Sequence, residues 1–255
     1  MTKIKAVLKI TLFLVWCLLC APTQFIYLLF VKGRSAYTLP YFWQRGVCKI
    51  FGIKVVVSGA PISTAQTVFC SNHISFLDIP VIGSVLKASF VAKGEVESWP
   101  VFGFLSKLQQ TIFISRKRSD AHRAGQQIEQ SLKQGKNIII FPEGTSSDGS
   151  NVLGMKAALF SPLVGLENTV IQPFTIWIKA VDKQLVAGAS DPQKLRDLYA
   201  WYGDMELAPH LWAFAQHKGA VIELVFHAPI AADSGADRKA LAALCEEKIR
   251  NPLVS

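Results

Sequence analysis

The stretch TVFCSNHISFLDIP, residues 67–80, opens as a run of β-branched and apolar residues and turns polar at Ser71 and Asn72 before an apolar continuation. That change reads as a buried strand feeding a strand-to-helix turn. TIFISRKRSD (111–120) and NIIIFPEGTSSDGS (137–150) repeat the design. Other strands are expected at 54–57, 88–92 and 221–226, with 170–181 a strand in some broken form. Several are apolar throughout, as strands covered on both faces are. Between them, Ala121, Ala124, Ile128 and Leu132 recur at helical spacing behind Ser119 or Asp120 as a cap, and Leu241, Cys245 and Ile249 mark a terminal helix. The alternation predicts an α/β fold: a mixed, largely parallel sheet flanked by helices. In such a sheet the polar strand ends converge on one rim.

Upstream the character changes. Residues 10–31 carry no charge and are bounded by Lys5 and Lys9 before and by Lys32 and Arg34 after. The run is long enough to cross a bilayer, although Pro22, Thr23 and Gln24 divide it. Three readings stay open: one spanning helix, a helix pair or re-entrant element dipping into one leaflet, and a cleaved signal or soluble core helix. A small-residue cleavage site is missing, which weakens the signal reading. The following YFWQRGVCKIFGIKV, with Arg45 and Lys49, suits an interfacial helix. The expected division is a membrane-anchoring, helical region at 1–57 and an α/β catalytic domain at 58–255.

Lys and Arg number 27 against 18 Asp and Glu, a net charge of +9, yet charged residues are only 18% of 255. The balance excludes a disordered basic tail and favours an anionic membrane surface over nucleic acid as partner. Five scattered cysteines argue against a disulfide framework, and Cys17 and Cys20 lie in an apolar run rather than in a metal-binding set. No metal or cofactor is expected.

His73 and Asp78 are the first chemical candidates. On one continuous helix a separation of five would turn them about 140° apart, so they meet only if His73 stays in the turn and Asp78 enters the helix. A carboxylate on one ring nitrogen would fix the tautomer and leave the other nitrogen free to take a proton from a hydroxyl. Glu143, Gly144, Thr145, Ser146, Ser147 and Asp148 form a polar turn whose amides can cradle an anion. Arg116 is the cation of its run expected to point inward. No Walker A loop, GxGxxG or GxSxG elbow is present, so a histidine activating a substrate hydroxyl toward an activated acyl donor, such as a thioester, is the coherent chemistry.

Four blocks now stand in order: Asn72-His73 with Asp78 five residues on, Phe113-Ile114-Ser115-Arg116, Phe141-Pro142-Glu143-Gly144-Thr145, and Val170-Ile171-Gln172-Pro173-Phe174. Together the chain resembles the 1-acylglycerol-3-phosphate acyltransferases and related glycerolipid acyltransferases. The resemblance implies transfer of a fatty acyl group from acyl-CoA or acyl carrier protein to a lysolipid hydroxyl. It implies His73 as general base, Asp78 as its orienting partner, and Arg116, Glu143, Gly144 and Thr145 at the acceptor head; Lys93 falls where relatives carry a lysine. Many phosphate-accepting relatives continue FPEGT with an arginine, whereas this chain has Ser146, Ser147 and Asp148. The stretch from Trp201 to Trp212 looks like a branch that includes lyso-ornithine lipid acyltransferases. Phosphatidate formation is therefore the first expectation and lyso-ornithine acylation the second, with Ser146 and Asp148 as candidate selectivity positions. A noncatalytic membrane scaffold would leave the motif order unexplained. The location implied is a membrane, the bacterial inner membrane with the catalytic part on its cytoplasmic face.

Overall fold

The computed structural model describes residues 2–62, 66–114, 121–232, 235 and 237–254. The strands are β1 (Lys54–Ser58), β2 (Gln66–Ser71), β3 (Ala88–Lys93), β4 (Ile112–Ile114), β5 (Asn137–Ile140), β6 (Thr169–Val181), β7 (Gln184–Leu185), β8 (Ala220–Phe226) and β9 (Ile230–Ala231). Among the described residues they form one sheet in the order β1-β8-β6-β2-β5-β3-β4, with β7 and β9 paired to β6. Neighbours in the main order run parallel except β6 and β8. The expected mixed, largely parallel sheet is thus present. Region 170–181 is one strand rather than two, its irregularity confined to a register shift between Ile178 and Ala180.

Alternation explains why the central strands are apolar throughout. Val68 and Cys70 face one core with Ile138 and Ile140, while Phe69 and Ile139 face the other. The first core is closed by α5 (Ala121–Lys133) and α8 (Arg238–Val254) through Ile128, Leu132, Leu241, Cys245 and Ile249. These are among the positions that helical spacing picked out; the Ser119 or Asp120 cap and the side chains of Ala121 and Ala124 lie outside what the structure describes. The second core is closed by α1 (Thr2–Phe30), α2 (Thr38–Phe51), α3 (Asp78–Gly83) and α7 (Leu207–Gln216), through Phe13, Phe51, Val81 and Phe214.

Helix α1 runs unbroken through Pro22, and the Thr23 hydroxyl bonds back to the Leu19 carbonyl at 2.9 Å. Ala6, Phe13, Cys17 and Gln24 are its buried residues and share one face. Lys9 Nζ donates to the carbonyls of Phe51 (3.1 Å) and His217 (2.8 Å), where α2 and α7 end. The partial negative charge at helix carboxyl ends favours an ammonium there. Trp16 Nε1 donates to the Trp43 carbonyl, and Gln24 Nε2 to those of Ala36 and Leu108. The opposite face presents Ile4, Leu8, Leu12, Val15, Leu19 and Ile26, all exposed. One face of the helix is core and the other is an uncovered apolar stripe, long enough to associate with a membrane.

Candidate active site

Strand register sets the site. Cys70 pairs with Ile140, so His73 and Glu143 each lie three residues beyond a matched pair, at the same rim. Phe90 pairs with Ile139, which puts Lys93, three residues on, at that rim as well.

The chain leaves β2 through Asn72, whose amide bonds to both the N–H (2.8 Å) and the carbonyl (3.1 Å) of Ile176. The side chain thereby acts as one more rung of the ladder to β6 and fixes where the turn begins. Asp78 opens α3 and is fully buried. Its Oδ2 meets His73 Nδ1 at 2.8 Å and accepts the backbone N–H groups of Ile74 (2.7 Å) and Ser75 (2.9 Å). An oxygen that already accepts two amides accepts from the ring as well, so Nδ1 carries a proton, and in the neutral ring Nε2 keeps its lone pair. The imidazole stacks on Phe141, with centroids 4.1 Å apart.

The loop after β5 grips His73 from both sides of its backbone. Glu143 Oε2 accepts the His73 N–H at 3.0 Å, and the N–H of Ser147 donates to the His73 carbonyl at 2.9 Å. Glu143 Oε1 accepts the N–H of Leu153 at 2.8 Å, and the side chain is buried. Burial pushes the Glu143 carboxyl up to about 7, against the lowering by its two amide donors and with further raising from Asp78 and Glu246. Gly144 has φ +67°, and a Cβ there would lie 2.7 Å from Lys156 Nζ, so the turn needs glycine and brings an ammonium beside it.

Glu143→Gln is expected to lower stability by about 1–3 kcal/mol, because its NH2 faces an amide donor and leaves one buried N–H unpaired. A carboxyl raised from 4.5 to about 7 by folding stabilises fully below 4.5, and that contribution is lost as pH rises through 7. The gap in melting temperature between the parent protein and Glu143→Gln should accordingly be wider at pH 5 than at pH 8. A gap independent of pH would show that Glu143 does not titrate in this range.

A cavity of about 390 Å³ opens on this arrangement. His73, Gly144, Thr145 and Ser146 supply polar wall, with Lys93 and Glu95 beside them. The rest is apolar and comes from many elements, including Phe13 of α1, Trp43 and Phe51 of α2, Leu105 of α4 (Phe102–Leu108), and Trp201 and Leu211 from the carboxyl-terminal third. Of the residues singled out in the sequence, the structure joins His73 to Asp78 directly and sets Lys93, Gly144, Thr145 and Ser146 around the same space. Glu143 lies beneath the turn, engaged with backbone amides. Asp148 is not among the cavity-lining residues; its Oδ1 accepts the N–H and hydroxyl of Ser150. Arg116 lies outside the described residues. Sequence reasoning missed Lys156, Tyr199 and the grip of Ser147 on His73. Lys156 and Tyr199 belong to no recognisable block, whereas Ser147 follows FPEGT by two residues without the spacing showing what it would bond.

A family model described as Acyltransferase matches residues 54–177. A lyso-ornithine lipid O-acyltransferase of Brucella abortus is 34% identical over 242 residues, covering 92% of this chain and 88% of that protein. A 1-acyl-sn-glycerol-3-phosphate acyltransferase of Neisseria meningitidis is 30% identical over 208 residues, covering 81% and 77%. The crystal structure of the 1-acyl-sn-glycerophosphate acyltransferase PlsC from Thermotoga maritima matches with a TM-score of 0.68 at 19% identity, over 100% of this chain and 97% of that one; it speaks to the fold.

Proposed function

The chain belongs to the acyltransferase family and transfers an acyl group to a lipid acceptor, and from that premise we propose that the acceptor is lyso-ornithine lipid. The observation that carries the reading is the near full-length similarity to the Brucella abortus enzyme, which exceeds in identity and coverage the similarity to the Neisseria meningitidis enzyme. This reverses the order expected from the motifs alone, in which phosphatidate formation came first. Ser146 in place of an arginine after FPEGT agrees with the reversal, since it leaves one cation fewer for a doubly charged phosphate. Asp148 does not carry the selectivity in this reading, because its side chain caps its own turn.

In the proposed mechanism His73 Nε2 takes the proton from the acceptor hydroxyl as its oxygen attacks the thioester carbonyl of acyl-CoA or acyl carrier protein. The thiolate leaves and receives that proton, and the new ester is released. Asp78 holds the ring in the tautomer this requires. The apolar cavity takes acyl chain, while Gly144, Thr145, Lys93 and Arg116 serve the charged head; an arginine fork suits a carboxylate as well as a phosphate. Residues 1–57 attach the protein through the outer face of α1 and also lend most of β1 to the sheet and Phe13, Trp43 and Phe51 to the cavity, while 58–255 carry His73 and the polar turns, at the cytoplasmic face of the bacterial inner membrane, where thioester donors are made.

The test is acyl transfer from each thioester to lyso-ornithine lipid and to 1-acylglycerol-3-phosphate in parallel. A kcat/KM at least about tenfold higher for lyso-ornithine lipid, ~1.4 kcal/mol in the transition state, is expected. The opposite ratio would make the enzyme phosphatidate-forming.

A further inference from the structure

One buried hydroxyl has no part in the mechanism above. Tyr199 follows α6 (Pro192–Arg196) and is fully buried, and its hydroxyl donates to Asp78 Oδ1 at 3.0 Å. That is the one hydrogen bond to Oδ1 among the described residues; Oδ2 carries the imidazole and two amides. The N–H of Trp201, two residues on, donates to the Ile74 carbonyl at 2.9 Å, so the segment is tied to the turn that holds His73 at a second point. Tyr199 does not line the cavity and cannot touch substrate there.

From this geometry we infer that Tyr199 is a positioning residue for the base, acting through Asp78. The inference rests on the reading of His73 as that base. The hydroxyl holds the carboxylate in the plane that meets Nδ1–H. It also offsets part of the carboxylate's charge. Burial first, and then the Asp78 carboxylate, keep the Tyr199 hydroxyl well above its ordinary range, so it remains a donor throughout. Other titratable groups around the pair are Glu143 at the His73 amide, Cys48 of α2 near Tyr199, Glu246 of α8 behind Glu143, Lys156 at Gly144, and Lys93 and Glu95 in the cavity wall. A change at Tyr199 leaves all of these in place.

Removing the hydroxyl leaves the full carboxylate charge facing the imidazole. The ring then keeps its proton to higher pH, and the acid limb of the rate profile moves up. The experiment measures kcat and KM against pH for the full-length enzyme and for Tyr199→Phe, with the acceptor that the side-by-side assay selects. Expected are a fall in kcat of about tenfold, the effect of one charge-linked hydrogen bond, with KM for both substrates within about twofold. The acid limb should rise, since a carboxylate with one donor fewer favours the protonated ring. Placing 3-fluorotyrosine at position 199 keeps ring and hydroxyl but makes the O–H a stronger donor, and should move the limb down; it decides the matter if Tyr199→Phe does not fold. A loss of kcat with both limbs unmoved makes Tyr199 merely structural and overturns the inference. His73→Gln is run alongside. If it is inactive while the limbs stay put, only the role of Tyr199 fails; if it is fully active, the base reading itself falls and takes this inference with it.

Discussion

Replacing His73 with alanine is expected to reduce acyl transfer by about 10²–10⁴, the usual cost of deleting a general base. The acceptor hydroxyl loses its proton with difficulty near neutral pH, and the nitrogen proposed to take it is Nε2, since Nδ1 is committed to Asp78 at 2.8 Å. The loss should fall on kcat, since the cavity proposed to take the acyl chain is built mainly from other side chains. Folding should survive, because the turn is held by the carboxylate of Asp78 on the amides of Ile74 and Ser75 and by Glu143 on the amide of residue 73, none of which needs the ring. Turnover within threefold of the parent by a folded, vesicle-bound His73→Ala protein would remove His73 from the chemistry.

The second large effect concerns the outer face of α1. Leu8, Leu12 and Leu19 lie opposite the buried stripe of Ala6, Phe13, Cys17 and Gln24 and are exposed in the folded chain. Changing all three to glutamate removes three leucines from lipid at about 1.5–3 kcal/mol each. It also places charge where a bilayer disfavours it. Even at ~2 kcal/mol per site the sum, ~6 kcal/mol, corresponds to roughly 10⁴ in partitioning. Vesicle sedimentation should find the triple variant in the supernatant with its melting temperature close to the parent's. Retention on salt-washed vesicles would place the main attachment elsewhere. Deleting the whole segment is a poorer test, because Phe13 belongs both to the core and to the cavity wall.

The sheet was legible because its strands are short apolar runs that end abruptly in polar residues, and that boundary survives in one dimension. His73 and Asp78 were legible as a conditional pair: five residues apart they meet only across a turn, and it was the resemblance, not the spacing, that gave them their roles. Glu143 was legible as part of a polar turn, but not its place beneath that turn, where register with β2 draws it to meet two amides. Tyr199 was invisible since its partner lies 121 residues away and no pattern in an aromatic-rich segment marks which ring turns inward. Lys9 read as a membrane-boundary charge, yet it donates to two helix ends. Composition can show that α1 is apolar; only packing decides which of its faces is core.

The double hold of the loop after β5 on the peptide of His73 bears on how this enzyme can change. The turn proposed to meet the head group and the residue proposed to carry the chemistry share hydrogen bonds at one backbone unit, so they drift together. A substitution in 143–147 that adapted the pocket to a new acceptor would disturb the base at once, and selection would see the lost turnover before any gain in preference. Trp201 is tied to the same turn through the Ile74 carbonyl, so head-group specificity is freer to evolve on the wall after β3. Libraries aimed at a new acceptor belong at that wall, with the gripping loop left as inherited.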